Sequence, residues 1–256
     1  MILPRRVEAV VFDMDGLLID TESVVRDAMM AVARDRGVEL PLPVFLTMVG
    51  LPHFASRALA VAHFGEAFAI EDFDAAVEAR VEADLAVGAA VKTGVVELLD
   101  HLDALGIPRA VATSSRHEMV DRHLGHHGLL ERFQTIVAAG DYARGKPSPD
   151  PFLTAAARLG VDAPRCLALE DSHNGVRAAH AAGMMTVMVP DLLEATDEMR
   201  ALCVAIADTL HAVRSLIGSE GVPHWTSRRT ARPATGRPRP GGRGDRAAPS
   251  PPRADG

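Results

Sequence analysis

Short continuous apolar runs alternate along this chain with longer stretches whose apolar residues return every three or four positions. The runs fall at Val10-Val11-Phe12, 108–115, 135–139, 166–169, 185–189 and 203–207. Continuous apolar runs of this length are expected of strands buried on both faces of a parallel sheet. The periodic stretches predict helices over 22–36, 43–46, 53–64, 72–87, 95–105, 116–126 and from 149 to 159, then one ending near Gly183 and one ending near Ile217. Thr93 is placed to cap the 95–105 helix, and Ser148, followed by Pro149, to cap the next-but-one. Residues 18–87 carry helical periodicity alone. The pattern therefore predicts an α/β fold, a Rossmann-like parallel sheet with helices on both faces and a small all-helical cap inserted after the first strand. The expected domains are a catalytic core of 1–17 and 88–218, a cap of 18–87, and a tail of 219–256.

Composition narrows the function classes. The 256 residues are 48% hydrophobic, which supports a real core. Two cysteines, Cys166 and Cys203, are too few for a disulfide framework and suggest a reducing compartment. Cys166 lies within an apolar run and reads as core filling. With no run long enough to span a membrane and no signal-like apolar stretch behind Met1, a cytoplasmic protein with no membrane partner is expected. The net charge of −7 is divided: from His224 onward there are eight Arg against two Asp, leaving 19 basic and 32 acidic residues in the body. Such a body is not expected to bind nucleic acid, whose affinity rests on phosphate neutralisation. The Arg-, Pro- and Gly-rich tail has no apolar period and is expected to be disordered. Lysine occurs twice only, at Lys92 and Lys146.

The candidate chemistry sits where the runs end. Asp13 and Asp15, with Gly16, follow the first; Thr113 and Ser114 close the second; Glu170 and Asp171 follow the fourth; Lys146 lies in the loop between the third and fourth. In a parallel sheet these ends share one edge, where ligands bind. Two carboxylates held 4 Å apart repel by about 4 kcal/mol at an effective dielectric of about 20. A metal cation, a shared proton, or both must offset that. An oxygen-only donor set selects Mg²⁺, which favours phosphate company. A phosphate needs donors, and the Thr113 hydroxyl, the Ser114 N–H at a helix start and the Lys146 ammonium supply them. His123 and His127 have the spacing of a zinc pair on a helix but no evident third ligand, so an exposed helix face is expected.

Four segments in order, 13–22 (Asp-Met-Asp-Gly-Leu-Leu-Ile-Asp-Thr-Glu), 112–115 (Ala-Thr-Ser-Ser), 145–152 (Gly-Lys-Pro-Ser-Pro-Asp-Pro-Phe) and 169–175 (Leu-Glu-Asp-Ser-His-Asn-Gly), resemble the haloacid dehalogenase superfamily. The branch is that of phosphoglycolate phosphatases and β-phosphoglucomutases. The resemblance implies a Mg²⁺-dependent phosphatase acting on a small phosphorylated metabolite, a sugar phosphate or phosphoglycolate, through an aspartyl-phosphate. Asp13 is then the nucleophile and Asp15 the acid and base. Asp13, Asp15 through its backbone carbonyl, and Asp171 hold the metal, with Glu170 acting directly or through water. Thr113, Ser114 and Lys146 bind the phosphate.

Departures from the family pattern refine this. Val25 stands where the mutases carry a histidine, and Val49 and His53 stand where they carry a basic pair around the glycine matching Gly50. Hydrolysis is therefore favoured, with a β-phosphoglucomutase-like phosphomutase or a non-catalytic phospho-ligand-binding domain as alternatives. Residues 18–87 hold no lysine for a Schiff base, and Asp15 distinguishes the chain from dehalogenases. His53, Arg57 and Arg116 are the candidates for substrate specificity. A monomer and a dimer are equally compatible with the sequence.

Overall fold

The computed structural model describes residues 3–49, 51 and 53–218, with His53 and Val87 as backbone only. Six parallel strands, β1 (Ala9–Phe12), β2 (Arg109–Arg116), β3 (Thr135–Ala139), β4 (Cys166–Glu170), β5 (Met185–Met188) and β6 (Ala205–Ile206), form one sheet in the order β3-β2-β1-β4-β5-β6. β1 is central, with Val11 opposite Ala110 on one side and Ala168 on the other. Among the described residues there are ten α-helices: α1 (Thr21–Asp35), α2 (Leu42–Leu46), α3 (His53–Phe64), α4 (Ile70–Val87), α5 (Val95–Leu105), α6 (His117–His126), α7 (Asp150–Leu159), α8 (His173–Ala181), α9 (Asp197–Leu202) and α10 (Leu210–Leu216).

Alternate side chains of each strand leave on opposite faces, and the two faces differ. Val10, Phe12, Leu167 and Leu169 pack with Leu98, Leu99 and Leu102 of α5, Leu124 of α6 and Leu210 and Val213 of α10. Ala9, Val11, Ala110, Ala112 and Ala168 pack with Phe152, Ala155 and Ala156 of α7 and Ala178 and Ala179 of α8. One face is thus filled by large aliphatic groups and the other largely by alanine.

The helices inserted after β1 have their own apolar cluster. Val32 and Ala33 of α1, Phe45 of α2, Ala60 of α3 and Ile70 and Phe73 of α4 are buried together. Phe64, Phe68 and Phe73 stack with ring centroids 4.5–5.5 Å apart. Two linkers join these helices to the rest of the fold. Ile19 and Val91 form an antiparallel bridge, with Asp20 N–H donating to Ala90 O at 2.8 Å and Lys92 N–H to Leu18 O at 2.9 Å.

Several local expectations are revised. Thr93 does not cap α5; the cap is Gly94 in the left-handed region (φ 89°), where an added Cβ would crowd the His211 amide. The cap residue of α7 is Pro149, and the Ser148 hydroxyl instead donates to Asp150 at 2.7 Å. α9 was not predicted, and the 203–207 run pairs with β5 only at Ala205–Ile206. No helix among the described residues is long and apolar enough to cross a membrane. Gly50 and the expected disordered tail, 219–256, lie outside the described residues.

Candidate active site

Asp13 is the first residue beyond β1, and its N–H still donates to Leu169 O of β4 at 3.0 Å. This bond holds the Asp13 side chain beside the end of β4, where Glu170 and Asp171 follow. One oxygen from each of Asp13, Glu170 and Asp171 lies within 4.8 Å of the other two, and all three residues are buried. Lys146 reaches them from the loop after β3. Its ammonium donates to Asp13 Oδ1 and, at 2.5 Å, to Glu170 Oε1, and it lies 5.1 Å from the centroid of the Phe152 ring. The other Glu170 oxygen accepts from the Asp171 and Ser172 amides, both at 3.1 Å, and from the Ser172 hydroxyl at 3.0 Å.

Two glycines make room for this packing. At Gly16 (φ 80°) a Cβ would overlap the Asp171 carboxylate, and at Gly175 it would overlap that of Glu170. Glycine is thus required at both places by close approach rather than by the turn alone.

The cluster is short of positive charge, with three buried carboxylates around one ammonium. Burial raises Asp13 and Asp171 well above the ordinary carboxylate value; Glu170 and Asp15 add to the rise at Asp13, and Asp13, Glu170 and Glu22 to that at Asp171, while Lys146 works against both. Burial acts to lower Lys146, but Asp13 and Glu170 outweigh it and hold the ammonium above its usual value. An oxygen-only donor set with this deficit, on a site too crowded for one Cβ at Gly16, fits a divalent cation.

Asp15 is held differently. Its Oδ1 accepts from the Thr21 hydroxyl at 2.9 Å, and its Oδ2 from Ser115 at 2.7 Å and Thr113 at 3.3 Å. Thr113 also accepts from the Ser115 amide at 3.0 Å, and its carbonyl accepts from the Tyr142 hydroxyl at 3.1 Å. Thr21, Ser115 and Tyr142 were not singled out in the sequence. The hydroxyl-ending strand and the Thr before Glu22 were its legible signals; Tyr142 left none.

The remaining candidates scatter. Ser114 is exposed at the end of β2, three residues before α6, so its N–H is not at a helix start. Arg116 follows and lines a cavity of about 410 Å³ with His117, Glu118, Ala139 and Gly140. Arg57 is paired with Glu71 and, at 3.8 Å, with Asp74, both on α4. The side chain of His53 lies outside the described residues. The expected exposed face of α6 is not observed at His123, which is 5% exposed with neither ring nitrogen hydrogen-bonded among the described residues. Burial lowers its affinity for a proton. His127 instead donates to Ala89 O at 2.7 Å.

Comparison with known proteins follows the same lines. The sequence model of the haloacid dehalogenase-like hydrolases matches residues 7–183. The chain belongs to that family. The hydrolase is 38% identical over 194 residues to a probable pseudouridine-5'-phosphatase of Drosophila melanogaster, covering 73% of this chain and 83% of that one. It is 31% identical over 193 residues to the fructose-1-phosphate phosphatase of Escherichia coli, covering 72% and 97%. Its fold matches a haloacid dehalogenase family hydrolase from Deinococcus radiodurans, crystallised with bound phosphate and sodium, at a TM-score of 0.70 and 28% identity over 81% of this chain and 93% of that one. The hydrolase is an enzyme of the phosphatase class.

Proposed function

We propose that this hydrolase releases phosphate from a small phosphorylated metabolite of the sugar phosphate or phosphoglycolate type, using Mg²⁺ and an aspartyl-phosphate on Asp13. The observation that carries the reading is the single ammonium of Lys146 bridging Asp13 and Glu170. It lets one carboxylate stay ionised as a nucleophile inside an acidic nest. The core of 1–17 and 88–218 carries the chemistry, and the cap of 18–87 encloses the substrate.

Asp13 Oδ attacks phosphorus, the bond to the leaving oxygen breaks, and Asp15 gives that oxygen its proton. Asp15, now ionised, takes a proton from a water that attacks the phosphoryl group. The Asp13–phosphorus bond breaks, inorganic phosphate leaves, and both carboxyl groups are restored. Thr21 and Ser115 hold Asp15 between these two proton transfers, which frees the Thr113 hydroxyl to turn from Asp15 to the phosphate. Lys146, the Thr113 hydroxyl and the Ser114 amide bind the phosphoryl oxygens. Asp13, the Asp15 carbonyl and Asp171 are the residues to hold Mg²⁺, with Glu170 direct or through water. The ion supplies charge neutralisation that lets a phosphate dianion enter.

Specificity is assigned to Arg116, whose cavity lies along the same sheet edge, and to His53 and Arg57 of the cap. Val25 in place of the mutase histidine, with Val49 and His53 in place of the basic pair, favours hydrolysis over phosphoryl return to a second hydroxyl. The test is phosphate release from a panel of sugar and organic phosphate monoesters, with and without EDTA. Release that EDTA abolishes and that Asp13→Asn lacks is expected. Release by Asp13→Asn at the wild-type rate would remove the nucleophile assignment, and mutual conversion of sugar phosphates would favour the mutase.

A further inference from the structure

The lysine that chemistry leaves unused is Lys92. It stands at the end of the second cap linker, and the ammonium of its half-buried side chain donates to Asp191 Oδ1 at 2.6 Å, with Asp20 Oδ1 of the first linker 3.7 Å away. That Asp20 oxygen is buried and accepts no hydrogen bond among the described residues, and the same holds for Asp191 Oδ2. Asp191 belongs to the core, in the loop between β5 and α9. The neighbouring Leu192 packs against the apolar cluster of the cap, and Glu194 O accepts from His173, two residues past Asp171, at 2.9 Å. One core loop thus touches the second cap linker, the apolar cluster of the cap and the segment carrying the acidic cluster, and meets the first linker through Lys92.

We propose that Lys92 is a positioning residue: by joining both linkers to the loop after β5, it fixes the linker segment that aims Asp15. The path is short. Asp20 is followed by Thr21, whose hydroxyl binds Asp15 Oδ1, and Asp15 itself bridges to Ile19 of the same linker. An ammonium with three donors and only one short partner is poised to trade Asp191 for Asp20 when the linkers shift. The unsatisfied Asp20 oxygen is the acceptor such a trade requires. Linkers of this kind absorb the motion of a cap, and a misplacement of about 1 Å at a reacting group costs up to about a hundredfold in rate.

This inference rests on the phosphatase reading for its kinetic arm but not for its structural one. The kinetic probe is p-nitrophenyl phosphate; the structural probe is amide hydrogen exchange at Asp20 and Lys92, whose N–H groups bond across the linkers. Lys92→Met and, independently, Asp191→Asn are expected to speed exchange at these two amides about tenfold. They should lower kcat about tenfold with KM changed less than about threefold, because the phosphate-binding groups are untouched. Lys92→Arg should restore kcat to within about threefold of wild type, and melting temperatures should stay within a few degrees. Unchanged exchange together with unchanged kcat in either Lys92→Met or Asp191→Asn would overturn the assignment. If the wild-type protein releases phosphate from no ester, the phosphatase reading fails, and the exchange measurement still decides the role of Lys92.

Discussion

Lys146 is buried against two carboxylates, and the energetics of that arrangement are lopsided. A buried pair contributes little net stability when intact, yet removing one partner leaves uncompensated charge and costs about 3–5 kcal/mol. Lys146→Ala is therefore expected to destabilise the metal-free protein by about 3 kcal/mol in urea denaturation and to abolish phosphate release. Gly175 sets up a second contest. Alanine gains up to about 1 kcal/mol over glycine in a helix, but its Cβ would overlap Glu170, and overpacking costs about 1–3 kcal/mol. Gly175→Ala should thus lower the melting temperature and the activity together. At this scale Asp13, Lys146, Glu170 and Asp171 were legible because short motifs follow strand ends. The surroundings of Asp15 were less so, since its partner Thr21 arrives from the first turn of α1, and Tyr142, which binds the Thr113 carbonyl, from a loop. His123 was misread because its burial depends on what α6 faces, which local spacing does not carry.

Asp141 shows how elements are tied at the sheet edge. Just beyond β3, its Oδ2 accepts from the Ala138 amide at 3.1 Å, from Arg158 of α7 at 3.0 Å and from His117 of α6 at 3.0 Å. Arg158, the largest influence, holds the carboxyl down to about 2. A depressed carboxyl adds stability that is present above its unfolded value near 3.8 and is lost as pH falls toward 2. Asp141→Ala should cost about 1–2 kcal/mol at neutral pH, with the difference from wild type shrinking between pH 4 and 2 in chemical denaturation. Element existence was readable where apolar runs or long periods repeat. α9 escaped because a helix of Asp197–Leu202 is under two turns, so no period repeats. Its readable mark is the cap, with the Thr196 hydroxyl accepting from the Met199 amide and Asp197 and Glu198 in the first turn.

For the whole molecule, the acidic cluster links folding to metal and pH. Asp13 and Asp171 are raised in the fold, so without metal their contribution favours the folded state at low pH and is lost as pH rises above 3.8 through their folded values. A divalent ion held by these carboxylates would offset that loss by favouring the folded state. The rise in melting temperature on replacing EDTA by Mg²⁺ should therefore be negligible near pH 4 and grow toward pH 8. A shift independent of pH would argue against binding at these carboxylates.

The two faces of the sheet carry a consequence for how this chain tolerates change. Alanine on both sides of an interface brings backbones close and leaves no side-chain length to swing aside. Random mutagenesis with selection for folded protein should accumulate aliphatic exchanges beneath α5 and α10, and almost none between β1, β4 and α8. The half of the core that looks least furnished is the half with the least freedom to vary.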